Sequence, residues 1–429
     1  MILTRYIWII CLAVFSAHSF GQDTAVILEP LPQFDSLKLL YPFLKIDANR
    51  IQGESQSLQP FFDKLERIHN GSREQAVVVH LGDSHVQPGV ITMPLREWLQ
   101  SNFGNSGRGM IFPYRLAKSN GPAGYVSHCD TPWIYSRNAS PKHILPTGIA
   151  GFTLWSANPS ATFTVEFTTP LSGPGDTTLL TIFHANSDSS YFLSVSNDIN
   201  GHAYPVADST KPDHTTLLLD DQPQKIRIRA VKQKESQKSA TLYGMTLGLL
   251  KPGVVVHTIG VNGAMFSSYS ESEHFAGQLA LLKPDLLILS LGTNEAFGVK
   301  GWSADSFSAS IDSLVRQLLQ AAPGASILFT TPPGIYQATR KRRHTSYKPN
   351  PLAKKAGEII SGYAVTHGMA TWDWYTIMGG TDGMAKWKAK KLTDKRYIHF
   401  SGKGYGIQGV LFREAFIGAW KKSGYGTIK

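Results

Sequence analysis

Ala76-Val-Val-Val-His-Leu-Gly-Asp-Ser-His85 is the stretch that decides the architecture. Its first six residues form a short, nearly continuous apolar run, as in a strand buried on both faces of a parallel sheet. The run breaks at Gly82-Asp83-Ser84-His85, and a helix is predicted from about Val90 to Phe103. Downstream the same rhythm resumes. Strands are predicted over Val254–Ile259, Leu286–Leu291 and Ser326–Thr330, and Met369–Tyr375 is strand-like. Helices are predicted over Ser308–Ala321, Leu352–Thr366 and Lys403–Trp420. Upstream, Leu58, Phe61, Phe62, Leu65 and Ile68 have helical spacing that stops at Asn70-Gly71. Alternating strands and helices imply an α/β protein whose parallel sheet is covered on both faces.

From about Gly121 to Leu250 the texture changes. Thr, Ser, Asn, Asp and Pro become frequent, and turn-forming clusters separate short alternating segments: Thr162–Phe167, Leu179–Phe183, Tyr191–Val195 and Lys225–Arg229. In the last, Lys225, Arg227 and Arg229 share one face and Ile226 and Ile228 the other. This is the pattern of an antiparallel β-sandwich, inserted into the α/β unit.

The chain has 429 residues, 42% of them hydrophobic and 17% charged, which excludes a disordered chain. Two cysteines are too few for a disulfide scaffold or a four-cysteine zinc site. The 42 Lys and Arg against 31 Asp and Glu give a net charge of +11 and suggest an anionic partner: nucleic acid, membrane or acidic polymer. The N-terminus narrows that choice. Met1–Gly21 carries one basic residue, Arg5, no acid, and an apolar run from Tyr6 to Phe15. It reads as a secretory signal cleaved near Gly21–Gln22, too short to span a bilayer. Cleavage leaves Cys129 as the one cysteine and a periplasmic or secreted protein, for which nucleic acid is no longer a partner. No membrane span is expected afterwards, because the densest apolar stretch, Leu279–Leu291, is interrupted by Lys283, Pro284 and Asp285.

Four sharp turns hold polar residues at the carboxyl ends of strands, where parallel-sheet enzymes place their sites. They are Gly82-Asp83-Ser84-His85, Gly260-Val-Asn-Gly263-Ala264, Gly292-Thr293-Asn294-Glu295, and Tyr397-Ile-His399-Phe400 before the last helix. Together they supply what ester cleavage needs. Ser84 is a hydroxyl that becomes nucleophilic once a base takes its proton, and His399 is the candidate base. The backbone N–H groups of Ser84 and Gly263 and the Asn294 side-chain amide are candidate oxyanion donors. No Gly-x-Ser-x-Gly occurs, which disfavours an α/β-hydrolase elbow.

At these blocks the chain resembles the SGNH (GDSL-like) hydrolase superfamily. The resemblance implies a three-layer α/β/α fold with a flavodoxin-like parallel sheet and the Ser, Gly, Asn and His roles just given. Glu295 stands where many members have Asp. The family commonly has Asp three residues before the histidine, and here that residue is Arg396; Asp394 lies five before. Either that loop bulges and Asp394 orients the imidazole, or a backbone carbonyl does so in a Ser–His dyad; Asp373 and Asp382 are weaker stand-ins. The forms Gly-Asp-Ser-His-Val-Gln, Gly-Val-Asn-Gly-Ala, Leu-Gly-Thr-Asn-Glu-Ala and His-Phe-x-x-x-Gly-Tyr resemble bacterial peptidoglycan O-acetylesterases, which also carry a carbohydrate-binding-like β-sandwich between the first and second blocks.

That resemblance implies hydrolysis of the acetyl ester at the C6 hydroxyl of N-acetylmuramic acid, without metal or cofactor, on an acetylated cell-wall polysaccharide. Esterase action on another glycan, acetyl transfer, and a non-catalytic glycan-binding protein are the alternatives. The expected organisation is a signal peptide (1–21), a hydrolase domain in two parts (22–120 and 251–429) and an inserted β-sandwich (121–250). His80, His85 and His257 are taken as structural or supporting residues. The basic runs Arg340–His344 and Lys386–Lys391 are placed in loops, where they border the site or form solvated faces. Trp155, Tyr191 and Tyr243 are candidate sugar-stacking rings, with burial as their ordinary role.

Overall fold

A computed structural model describes residues 31–426, apart from 54–55, 143, 171–172, 174, 205, 209–212, 220–222, 299–300 and 342–343. The expected signal segment, with Cys11, lies outside the described residues. Six strands form the central sheet: β1 (Ile51–Gln52), β2 (Gln75–Gly82), β3 (Gly253–Gly260), β4 (Leu286–Ser290), β5 (Ser326–Thr330) and β6 (Ala370–Trp372). Their spatial order is β1-β6-β5-β4-β2-β3. All pairings are parallel except the antiparallel edge of β1 with β6. Counted in chain order, the five parallel strands run 2-1-3-4-5, the flavodoxin-like order, with its switch point between β2 and β4.

Successive side chains on a strand point to opposite faces, so each apolar run feeds two cores. On one face Val78, Val256 and Ile288 join Phe61 and Phe62 of helix Gln59–His69, Leu95 and Leu99 of Met93–Phe103, and Phe412 and Phe416 of Gly402–Lys422. On the other, Val79, Leu287 and Leu289 join Phe307, Ile311 and Leu314 of Ala304–Ala321 and Ile360 of Pro351–Thr366. The result is the three-layer α/β/α fold.

Between the helix Met93–Phe103 and β3 the chain builds two antiparallel sheets. The larger runs through Val206–Asp208, His214–Leu219, Thr178–His184, Ala240–Leu249, Phe152–Ser156 and Ile134–Arg137, with Gly109–Ile111 also paired to Ala240–Leu249. The smaller runs through Tyr125–Cys129, Thr162–Phe167, Lys225–Val231 and Phe192–Asn197. Phe163, Val165, Ile226 and Ile228 of the smaller sheet share a core with Leu180, Ile182 and Leu217 of the larger. That core continues into one face of the parallel sheet. At the junction a Cβ on Gly109 (φ +86) would lie 2.4 Å from the Val256 carbonyl oxygen, so only glycine lets the two units approach here.

Three local expectations need correction. The strand at Met369–Tyr375 is confined to Ala370–Trp372, because the Asp373 carboxylate accepts the Thr376 N–H and caps a helix, Trp374–Ile377. Of the basic run at 340–344, the described residues Arg340, Lys341 and His344 lie not in a loop but in two paired antiparallel strands, Tyr336–Lys341 and His344–Pro349. Its base is fixed because the Tyr336 and Tyr347 rings both pack on Tyr397, each with centroids 5.2 Å apart. Lys386 and Lys388 belong to a helix, Gly383–Ala389, that buries Met384 and Trp387 at helical spacing. In the antiparallel sheets Tyr191 and Tyr243 are buried, and Trp155 is half-buried.

Candidate active site

The register of the sheet brings the blocks together. Gly82 at the end of β2 is level with Gly260 of β3 on one side and Ser290 of β4 on the other. Ser84, Gly263 and Asn294 therefore follow three adjacent strand ends, with the serine in the middle. The Tyr269 hydroxyl donates to the Gly82 carbonyl at 2.6 Å, and the Val261 N–H to the same oxygen at 3.2 Å, which pins the turns to each other.

Ser84 sits in a turn, not at a helix start, since the following helix begins at Met93. Its Oγ lies 2.9 Å from His399 Nε2. For that imidazole nitrogen to accept the serine proton, the ring's other proton resides on Nδ1, which faces Asp394 Oδ2 at 3.6 Å. This is an ion-pair distance, longer than a hydrogen bond. Asp394 is held by its own loop: Oδ1 accepts from the Arg396 and Ile398 N–H groups at 3.1 Å each, and its N–H donates to the His399 carbonyl at 2.8 Å. Burial works against its ionisation, but His399 and those backbone donors outweigh it and hold the carboxyl below the usual range. Tyr397, between them, takes a left-handed φ of 61°, the price of closing so tight a loop. Of the acids considered from sequence, Asp394 is the one at His399; the Asp373 carboxylate accepts from Thr331 and Thr376 instead.

The donors on the other side are poised. Among the described residues neither the Ser84 nor the Gly263 N–H has a hydrogen-bond acceptor. Gly263 is exposed and has φ +89. One Asn294 N–H donates to the Ala264 carbonyl at 2.8 Å; the other has only a long 3.4 Å contact with Asp83 Oδ2. Two buried carboxyls stand behind this amide. Burial pushes Asp83 up to about 6, although its Oδ1 accepts the His85 N–H, and pushes Glu295 up to about 7. Glu295 Oε1 accepts the Phe266 N–H at 2.8 Å, tying the Asn294 turn to the segment after Gly263.

His85 is buried, its imidazole tilted 41° against that of His399 with centroids 5.3 Å apart and its Nδ1 3.0 Å from the Tyr405 hydroxyl; burial pushes it well below its ordinary value, which favours the neutral ring. His80, bonded to Thr92 and Ser290, is likewise driven down, to about 3, by burial. Among the described residues no group of three or more His, Cys, Asp or Glu is arranged to hold a metal ion, and no helix is long and apolar enough to cross a membrane. Sequence reasoning missed Gln87, Asn262, Tyr269 and Tyr405. Gln87, Asn262 and Tyr405 stand within the quoted blocks, but no spacing rule assigns a polar side chain its partner.

Residues 237–407 match the model of the GDSL-like Lipase/Acylhydrolase family. Over this span the chain is similar to GDSL-like acylhydrolases. The matched span holds Gly263, Asn294, Asp394 and His399, while Ser84 arrives from the other side of the antiparallel sheets. A solved peptidoglycan O-acetylesterase superposes with a TM-score of 0.72 at 20% identity, covering 87% of this chain and 99% of that one, and so shares its fold. A Bacillus subtilis protein matches at 12% identity over 71% of this chain and 91% of its own, with a TM-score of 0.35. A lipase/acylhydrolase from Enterococcus faecalis matches at 19% identity over 41% and 80%, with a TM-score of 0.29. No curated protein matches by sequence.

Proposed function

We propose that the chain is a serine esterase that removes O-acetyl groups from an extracytoplasmic polysaccharide, with peptidoglycan as its substrate. The observation that carries this reading is the Ser84 Oγ–His399 Nε2 contact of 2.9 Å beside two unoccupied backbone donors at the switch point of the sheet. Ser84 attacks the acetyl carbonyl while His399 takes its proton, and the Ser84 and Gly263 N–H groups with the Asn294 amide hold the oxyanion. Asp394 stabilises the imidazolium so formed. As the tetrahedral intermediate collapses, His399 returns the proton to the sugar oxygen, which leaves as an alcohol. Water then attacks the acetyl-serine, His399 again accepting its proton, and His399 returns that proton to Ser84 Oγ as the C–Oγ bond breaks and acetate departs. The peptidoglycan substrate is supported by the fold shared with a peptidoglycan O-acetylesterase over nearly all of that protein. The antiparallel sheets are then a glycan-seating unit, and the positive charge of the chain suits a wall polymer bearing carboxylates.

Acetate release from O-acetylated peptidoglycan, acetylated xylan and an aryl acetate tests the reading. Release from peptidoglycan above xylan is expected, and Ser84→Ala is expected to abolish it with the melting temperature retained. Full activity in Ser84→Ala refutes the mechanism. Preference for xylan refutes the substrate alone.

A further inference from the structure

Hydrogen bonds around Asn262 join the oxyanion loop to the mount of the antiparallel sheets. Asn262 immediately precedes Gly263, so the placement of Asn262 sets where the N–H of the Asn262–Gly263 peptide points. The Asn262 backbone N–H donates to Gln87 Oε1 at 2.7 Å, and its side-chain Nδ2 donates to Asn120 Oδ1, also at 2.7 Å. The Nδ2 group also has a longer contact, 3.4 Å, with Ser119 Oγ. The other end of Gln87 donates to Ser119 Oγ at 2.8 Å and to the Asn120 carbonyl. Ser119 and Asn120 lie on the segment leading into Tyr125–Cys129, an edge strand of the smaller antiparallel sheet. Gln87 itself is 1% exposed and follows Ser84 by three residues. One buried amide therefore contacts the segment carrying the nucleophile, the oxyanion loop and the linker into the antiparallel sheets.

The Ala264 N–H donates to the Val261 carbonyl at 2.9 Å and the Ala264 carbonyl accepts from Asn294, which fix the ends of the turn but not the Asn262–Gly263 peptide between them. A Cβ placed on Gly263 would find only the Ala139 methyl within contact, at 3.6 Å, and the left-handed φ of a glycine leaves its flanking peptides free to rotate at small cost. Rotation of the Asn262–Gly263 peptide would turn a carbonyl, instead of an N–H, toward a developing oxyanion. Such a donor stabilises charge only if already aimed when the charge appears.

We propose that Gln87 is a positioning residue. It anchors the Val261–Asn262 peptide, and through Asn262 it holds the next peptide with the Gly263 N–H facing the reacting carbonyl; with Asn120 it makes that aim depend on how the antiparallel sheets are seated. The proposal rests on the esterase reading.

The test is steady-state turnover of 4-nitrophenyl acetate by the full chain, by Gln87→Met and by Asn120→Ala, with thermal unfolding of each. Removing one oxyanion donor costs about 10²–10³-fold in kcat, and a misaimed donor loses part of that. Gln87→Met is expected to lower kcat about 10- to 100-fold with KM within about twofold. Asn120 is exposed, so Asn120→Ala is expected to fold normally and to show the same signature at a few-fold loss. If Gln87→Met does not fold, Asn120→Ala decides the matter by itself. Unchanged kcat in the folded variants, or a change confined to KM, overturns the positioning role. A wild-type chain inert toward the ester would instead remove the esterase reading beneath it.

Discussion

Replacing Glu295 by glutamine is expected to make the protein more stable, and increasingly so as the pH rises. Glu295 is 4% exposed; Oε1 accepts the Phe266 N–H, and Oε2 has no partner among the described residues. Burial, aided by the nearby Asp83 charge, pushes its carboxyl from 4.5 up to about 7 in the fold. In the unfolded chain the group loses its proton near its ordinary value, while the folded chain keeps it. Between those values the folded state binds more protons, so stability falls as pH rises from about 4.5 to 7 and stays at the lower level above that. At about 1.4 kcal/mol per pH unit the whole loss is about 3 kcal/mol. Glutamine keeps the Oε1 acceptor for Phe266 and cannot ionise. In urea unfolding, the stability difference between Glu295→Gln and the wild type should therefore be smallest near pH 4 and grow by about 3 kcal/mol by pH 8. Asp83 adds a loss of the same sign in both proteins, so it largely cancels in the comparison. A difference that is constant over this range would refute the argument, because it would mean that Glu295 ionises as freely in the fold as outside it.

Asp394→Asn tests whether the 3.6 Å contact with His399 is a working one: a fall in kcat of about 10²–10⁴-fold on an aryl acetate is expected, and unchanged turnover would mean a Ser–His dyad. Asn294→Ala is expected to lower kcat about 10²–10³-fold with much less effect on KM, read from full Michaelis curves. Equal effects on binding and turnover would show that the amide serves the ground state instead.

The two periodicities explain why so much of the fold was legible. Val77–Leu81, Val254–Ile259 and Leu286–Leu289 are apolar except for His80, His257 and Thr258 and carry apolar side chains on both faces, as a covered parallel sheet requires, while Lys225–Arg229 alternates because one side of its sheet faces solvent. The errors arose where short-range pattern and long-range packing disagree. The run at 340–344 looks like a solvated loop until Tyr336 and Tyr347 are seen to clasp Tyr397, and Trp372-Asp-Trp-Tyr375 looks extended until Asp373 caps a helix. The five-residue gap from Asp394 to His399 left two arrangements open. The loop closes it by a left-handed Tyr397, which no spacing rule foresees.

By itself the sequence determined the α/β class, the insertion of an antiparallel β unit, and the four polar turns with Ser84, Gly263, Asn294 and His399. These follow from local chemistry: side-chain alternation, turn residues, and the placement of turns at strand ends. Only the tertiary structure decided that Asp394 is the acid facing His399, that Asp83 and Glu295 are buried carboxyls behind Asn294, and that Gln87 and Asn120 grip the oxyanion loop. Those facts depend on strand register and on burial. Both are set by which distant segments pack together, and the free energy of a buried carboxyl or a paired amide belongs to that packing, not to the residue alone.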